Sequence, residues 1–208
     1  HVHTSKHSPD SEIDPFELVR RAVAAGLQGV IITEHDYQWE PTELDELRRE
    51  ADGLVVLSGA EISALEGHFL VYGLPDLEGI EPGIPVGKLV EIARRHEAAI
   101  VAAHPFRWDQ EFEEILEIHG PVFDALELVS NNITPDTRHL THAVAQKHQM
   151  ALTGSSDGHA PEVVGCYFTE YLEPVRSMTD IVSALRRKSI RPGHRRGVPL
   201  ASGPVSEV

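Results

Sequence analysis

Gly29-Val30-Ile31-Ile32-Thr33-Glu34-His35 (GVIITEH) is the stretch on which the reading of this chain turns. Residues 29–33 form a continuous apolar and β-branched run, the pattern of a strand buried on both faces, and the run empties into a histidine at its C-terminal end. Upstream, Asp14 and Pro15 supply an N-cap and a first helical residue, and Gly26 closes the helix that they start. Downstream the unit repeats. A helix is predicted from Thr42 through Ala51, then strands at 54–57 and 69–72, the second reached through a loop containing Gly67. A helix over 85–97, a strand over 98–102, a helix near 109–118, a strand over 125–129 and a helix over 135–148 follow. Strands at 151–154 and 163–169 and a helix over 178–188 complete the pattern. Seven or eight strands separated by helices, with no internal break in composition, point to one α/β domain built as a closed or nearly closed barrel over residues 1–191. The Gly-, Pro- and Ser-rich residues 192–208 read as a flexible tail.

At 208 residues the chain is long enough for one sizeable core and short for two. Hydrophobic residues at 41% and charged residues at 25% exclude fibrous and disordered classes, and no apolar run is long enough to cross a bilayer. A single cysteine, Cys166, forms no intramolecular disulfide, and no charged start with an apolar stretch precedes the first helix, so the expected location is the cytoplasm. The formal charge of −15 repels a phosphate backbone and argues against broad nucleic-acid binding. That charge is uneven: residues 180–208 carry a net +4, which leaves −19 for the rest. Thirteen histidines scattered through an acidic body point to bound divalent metal, whose charge offsets the excess.

Where the polar residues fall sharpens that expectation. Each of several predicted strands runs into a metal-ligand type: His35 after GVIIT, Glu61 after LVVLSGA, His104 after AAIVAA, and Asp157 with His159 after MALTGSS. In α/β barrels the strands converge at that end, where active sites form. His1 and His3 stand at i and i+2, so on an extended segment both imidazoles face one side while Val2 faces the other. Gly158 lets the backbone turn between Asp157 and His159, so those two side chains suit different ions.

Taken together these residues resemble the polymerase and histidinol phosphatase (PHP) phosphoesterases. HVHTSKHSPDS (His1, His3, Asp10) is similar to the first family motif, and Thr33-Glu34-His35 to the second. Gly59-Ala60-Glu61 with His68, Ala103-His104-Pro105 and Ser156-Asp157-Gly158-His159 match the later ones in order, across residues 1–159. The resemblance implies a distorted (β/α)7 barrel with up to three divalent ions (Zn, Mn or Fe) at its rim. It implies His1, His3, Glu61 and Asp157 around the first ion, Glu61, His68 and His104 around the second, and Asp10, His35 and His159 around the third. Glu61 then bridges two ions, as a carboxylate with two oxygens can. His7 is the alternative to Asp10.

The chemistry implied is hydrolysis of a phosphoester by metal-activated water, with no side-chain nucleophile. Ser155, Ser156 and Cys166 lack the sequence context of one and read as structural. Arg107 is the candidate to grip phosphate, Asn131 a candidate rim contact, and Glu34 and Asp36 candidates to orient His35 or a neighbouring ligand. Trp39 and Trp108 read as packing residues, and His96 as a helix-surface histidine. Only 42 residues separate Glu61 from His104, too few for a capping domain between them, which predicts an open mouth. The expected substrate is a small phosphomonoester. Short nucleotide or oligonucleotide ends are the alternative substrate, and a non-catalytic, metal-stabilised partner-binding module is the alternative function.

Overall fold

Asp14 accepts the backbone N–H groups of Phe16 and Glu17 and so starts α1 (Pro15–Ala24), while Thr134 with Thr137 and Ser177 with Asp180 form capping boxes at two later helices. In the computed structural model, which describes residues 1–195, α1 leads into β1 (Gly29–Ile32), α2 (Pro41–Arg49), β2 (Val55–Ser58), β3 (Ala60–Ala64) and β4 (Gly67–Tyr72). There follow α3 (Val86–Arg95), β5 (Ala99–Ala102), α4 (Phe112–His119), β6 (Ala125–Val129), α5 (Pro135–His148), β7 (Ala151–Gly154), β8 (Tyr167–Tyr171), α6 (Met178–Arg186) and β9 (Ile190–His194).

The fold is α/β, but its strands do not form the expected closed barrel. Among the described residues they make three sheets: a parallel pair β1–β2, a five-stranded sheet in the order β3-β4-β5-β6-β7, and the antiparallel pair β8–β9. The strictly alternating reading missed two strands. Residues 60–64, taken as part of a connection, form β3, which turns through Leu65 and Glu66 into an antiparallel hairpin with β4. So short a connection permits only antiparallel pairing. β4 then pairs antiparallel with β5, and the parallel arrangement resumes at β6 and β7. The second missed strand, β9, carries the chain through His194 and across the expected boundary at residue 192, because residues 190–194 pair with β8. The rest of the expected tail, from residue 196, lies outside the described residues. Between the sheets the pairing is reduced to single parallel bridges, Val2 with Gly158 and His35 with Glu61.

The five-stranded sheet is covered on both faces, which explains its apolar runs. On β5, Ile100 and Ala102 face the cluster containing Leu89, Phe112 and Leu116, while Ala99 and Val101 face Ile181 and Leu185 of α6. α1 and α2 cover β1 and β2 through Leu18, Val19, Leu44 and Leu47. Helices packed in this way hold the strand ends together at one rim. No helix among the described residues is long and apolar enough to cross a membrane.

Candidate metal centre

Glu61, on β3, is fully buried and lies at the middle of five imidazoles. Its Oε1 is 3.0 Å from His68 Nδ1 and 3.1 Å from His104 Nε2. Its Oε2 is 3.1 Å from His3 Nε2, 3.2 Å from His1 Nε2 and 3.1 Å from His35 Nδ1. Asp157 Oδ1 completes the second group, 3.2 Å from His1 Nε2 and 3.6 Å from His3 Nε2. Asp10 Oδ2 stands 3.3 Å from His35 Nε2 and 3.1 Å from His159 Nε2. All nine residues singled out as ligands in the sequence are therefore brought to one rim.

The geometry fits cations better than it fits hydrogen bonds. His1 Nε2, His3 Nε2 and Glu61 Oε2 are buried and lack a hydrogen-bond partner although each nitrogen lies within 3.2 Å of that oxygen. Buried polar atoms are seldom left so, and atoms whose lone pairs converge on a shared point rather than on each other are arranged as metal ligands are. Among the described residues, four sets of three donor atoms, each set within 4.8 Å, could hold an ion: His1, His3 and Asp157; His1, Glu61 and His104; His35, Glu61 and His68; and His3, His35 and His159. Only the first of these falls within an expected set: His1 rather than His68 joins Glu61 and His104, His35 joins Glu61 and His68, and in the last His3, whose ring stacks on both His35 and His159 with centroids 4.2 and 4.3 Å apart, stands where Asp10 was expected. Asp10 sits at the outer edge, its side chain 55% exposed.

The charges are strongly coupled. Burial opposes charge on His1, but Asp157, Glu61 and Glu127 outweigh it and hold its pKa well above the ordinary imidazole value. Burial likewise opposes charge on Glu61, and His1 chiefly reverses that, leaving the carboxyl well below its usual range. His159 is shifted down by burial and by the neighbouring His3.

Surrounding groups fix these side chains. Glu34, fully buried, accepts from the Thr4 N–H (3.0 Å), the Thr4 and Ser8 hydroxyls (both 2.5 Å) and Trp39 Nε1 (2.9 Å). Ser8 in turn bonds His3 Nδ1 at 3.3 Å and accepts the His35 N–H. Asp36 accepts the Ser63 N–H at 2.8 Å, and its own N–H bonds the Glu61 carbonyl. Positive φ angles at Asp36 (52°), His104 (29°) and Asp157 (45°) concentrate backbone strain at the rim, as functional sites commonly do.

Two participants escaped the sequence reading. Glu127 on β6 is fully buried, accepts His1 Nδ1 at 3.0 Å, the Ser155 hydroxyl and the His104 N–H at 2.9 Å, and so presents His1 Nε2 to the centre. The visible signal was a lone acid inside the apolar strand ALELV. Asn132 donates to Asp157 Oδ2, whereas Asn131, the expected rim contact, spends its amide on the Ser156 carbonyl (2.5 Å) and Cys166 Sγ (3.3 Å). His7, the alternative to Asp10, pairs instead with Glu43 at 3.1 Å and stacks on Tyr37. Arg107 stands at the mouth, 3.9 Å from Asp157 and stacked over Trp108. Trp108 is 66% exposed and meets His68 and His104 edge-on, so it walls the mouth instead of packing in the core.

A family described as PHP-associated matches residues 139–190. No curated protein matches the sequence. Among solved structures, a two-domain protein from Bacteroides vulgatus containing a predicted PHP-like metal-dependent phosphoesterase superposes with a TM-score of 0.72 at 21% identity, over 93% of this chain and 63% of its own. The chain thus spans less than two thirds of that protein. PsfC from Pseudomonas syringae superposes with a TM-score of 0.69 at 19% identity, over 96% of this chain and 91% of its own. The lesion-specific endonuclease PfuEndoQ from Pyrococcus furiosus gives 0.60 at 18% identity, over 87% of this chain and 54% of its own. At these identities the likeness is one of fold. The PHP-associated match is confined to residues 139–190, and what the chain shares with these solved structures is their fold.

Proposed function

We propose that this chain is a metal-dependent phosphoesterase acting on small phosphomonoesters. The observation that carries the reading is the division of Glu61, one oxygen toward His68 and His104 and the other toward His1 and His3, with buried nitrogens left without hydrogen bonds. That donor set suits up to three Zn, Mn or Fe ions: one held by His1, His3, Glu61 and Asp157, one by Glu61, His68 and His104, and one by Asp10, His35 and His159. Such ions, when bound, supply positive charge for phosphoryl oxygens and acidify water at neutral pH. Glu127 and Ser8 fix the tautomers and ring directions of His1 and His3. Arg107 offers a guanidinium fork to the phosphate at the mouth, its Cζ 4.0 Å over the centroid of the Trp108 ring. The names of the structural relatives support phosphoester chemistry, and the single buried Cys166 accords with a cytoplasmic setting.

One observation favours a second reading, hydrolysis at nucleotide or oligonucleotide ends: the exposed Trp108 beside Arg107 is suited to stack on a base. Metal analysis and a side-by-side assay of p-nitrophenyl phosphate, histidinol phosphate, adenosine 3′,5′-bisphosphate and a short RNA, with Mn added, test both. Turnover of monoesters by protein holding two or three ions per chain is expected. Activity confined to the RNA selects the second reading, and metal-replete protein inert on all four refutes both.

A further inference from the structure

Arg107 and Trp108, which stand at the mouth of the proposed metal centre, lie on the connection between β5 and α4, and that connection is strained. Phe106 and Trp108 hold φ angles of 67° and 55°, in the left-handed region that bulky side chains avoid, and His104 ahead of them is at 29°. The two side chains are nevertheless closely set. The Trp108 ring centroid is 5.3 Å from that of His68 and 5.6 Å from that of His104, and those two are 5.4 Å from each other, so the indole stands against this pair as the third corner of a nearly equilateral triangle. Arg107 leads on from the indole, its Cζ 4.0 Å over the ring and its Nη1 3.9 Å from Asp157 Oδ2. A strained segment keeps one such conformation only where its surroundings hold it there.

Its leading end is held by the His104 N–H, which donates to Glu127 Oε2 at 2.9 Å, and by Phe106, whose ring meets Phe112 edge-on at 5.6 Å. At the trailing end the tie is Gln110, whose Nε2 donates to the Glu66 carbonyl at 2.7 Å, in the turn between β3 and β4. That turn is anchored in its own right. The Glu66 carboxylate accepts the N–H of Val86, the first residue of α3, at 2.8 Å, and the Leu65 N–H donates to the Ile84 carbonyl at 3.0 Å. Gly67, at a φ of 146°, is what admits the Gln110 amide, because a Cβ there would overlap Nε2. We infer that Gln110 is a positioning residue for substrate: by tying the β5–α4 connection to the β3–β4 turn, it keeps Trp108 against His68 and His104 and aims the Arg107 guanidinium at the mouth. The effect passes through Arg107 and Trp108, since the Gln110 amide itself is engaged with Glu66. The kinetic consequence rests on the phosphoesterase reading, whereas the placement of the two side chains does not.

Two variants of the full chain test this: Gln110→Glu, which keeps the shape and removes the donor, and Gln110→Ala, which removes the side chain. With 5-fluorotryptophan incorporated, the chain gives two fluorine signals, and Trp108→Phe identifies the one from Trp108. In both Gln110 variants that signal should move toward the value of the free amino acid, while the signal of the buried Trp39 stays in place. Amide exchange at Arg107, whose N–H donates to the His104 carbonyl at 3.2 Å, should quicken at least ~10-fold. With p-nitrophenyl phosphate and Mn, Gln110→Glu should raise KM about 3–5-fold and change kcat by less than about twofold. Added to Arg107→Ala it should raise KM no further, because two residues that act through one contact are not additive. An unmoved Trp108 signal with unchanged exchange in both variants would overturn the inference, and so would KM effects of Gln110→Glu and Arg107→Ala that multiply. If the metal-loaded parent turns over no phosphomonoester, the phosphoesterase reading fails, and the fluorine and exchange results alone decide for or against Gln110.

Discussion

Replacing Glu127 by Gln alters one atom of a fully buried side chain that touches no proposed ion, yet it should weaken the centre. Glu127 Oε1 accepts from His1 Nδ1 and from Ser155, and Oε2 accepts the His104 N–H. Glutamine has one oxygen and one NH₂ for these three donors. If the oxygen stays on the His104 N–H, the NH₂ faces His1 Nδ1 and drives the ring proton to Nε2, the atom that points at Glu61 and Asp157. If the amide flips, two donors meet at His104 and a buried hydrogen bond is lost, at about 1–3 kcal/mol. Orienting partners of ligating histidines are worth about 10–100-fold in affinity, or about 1.4–2.7 kcal/mol. Titration calorimetry with Mn or Zn at pH 7, alongside thermal unfolding with metal and with chelator, reads both branches. His96→Ala is the control and should be nearly silent. Affinity within threefold of the parent together with an unchanged Tm would show that Glu127 does not orient His1.

Glu61→Gln should damage more than any other single ligand change, since the carboxylate is shared between two sets of imidazoles: metal content by mass spectrometry should fall by two ions, and turnover by on the order of 10³-fold. Full activity with two ions bound would remove it as the bridge. Arg107→Ala should raise KM for a phosphomonoester about tenfold while changing kcat less, and an unchanged KM would place the guanidinium outside the phosphate site. Away from the centre, Glu43 is held at about 2: partial burial opposes its charge, but Lys6, the Glu40 N–H, His7 and Tyr37 outweigh it. A lowered carboxyl stabilises the fold fully above its ordinary value of 4.5 and loses that contribution as pH falls toward 2, so Glu43→Gln should flatten Tm against pH across that window.

The proposed ligands were legible because they fall in short local motifs, several of them just past the end of a strand. His35 follows GVIIT and Asp157 follows MALTGSS, and the chain needs no distant information to put them at a rim. Their supporting residues are another matter. Glu127 acts by facing His1, 126 positions away, and Asn132 by reaching from the segment after β6 to Asp157 after β7; both depend on which residue of one element meets which of another. Helices formed where the sequence placed them, Asp14 starting the first as expected, while the Thr134 and Ser177 caps of the helices over 135–148 and 178–186 emerged only in the structure. Strand order was harder, since EISALEGHF reads equally as a loop or as a tight hairpin, and the antiparallel β3–β4 pair follows only when Ala64 is set against Gly67.

The failure of the sheets to close bears on the site as well as on the topology. Regular pairing stops between β7 and β1 and between β1 and β3, and the single bridges that span those seams are Val2 with Gly158 and His35 with Glu61. His35 and Glu61 are proposed ligands, and Val2 and Gly158 lie between pairs of them. The backbone contacts that join the sheets are thus made by the same residues that crowd carboxylates and imidazoles around Glu61. In the seam itself these groups balance only through protons, as on His1, and divalent ions shared between Glu61, Asp157 and the histidines would tie the sheets together more strongly than the isolated bridges do. Stability and metal loading should therefore move together, with chelation loosening first the rim where the sheets meet and only later the core of the five-stranded sheet around Phe69 and Phe112.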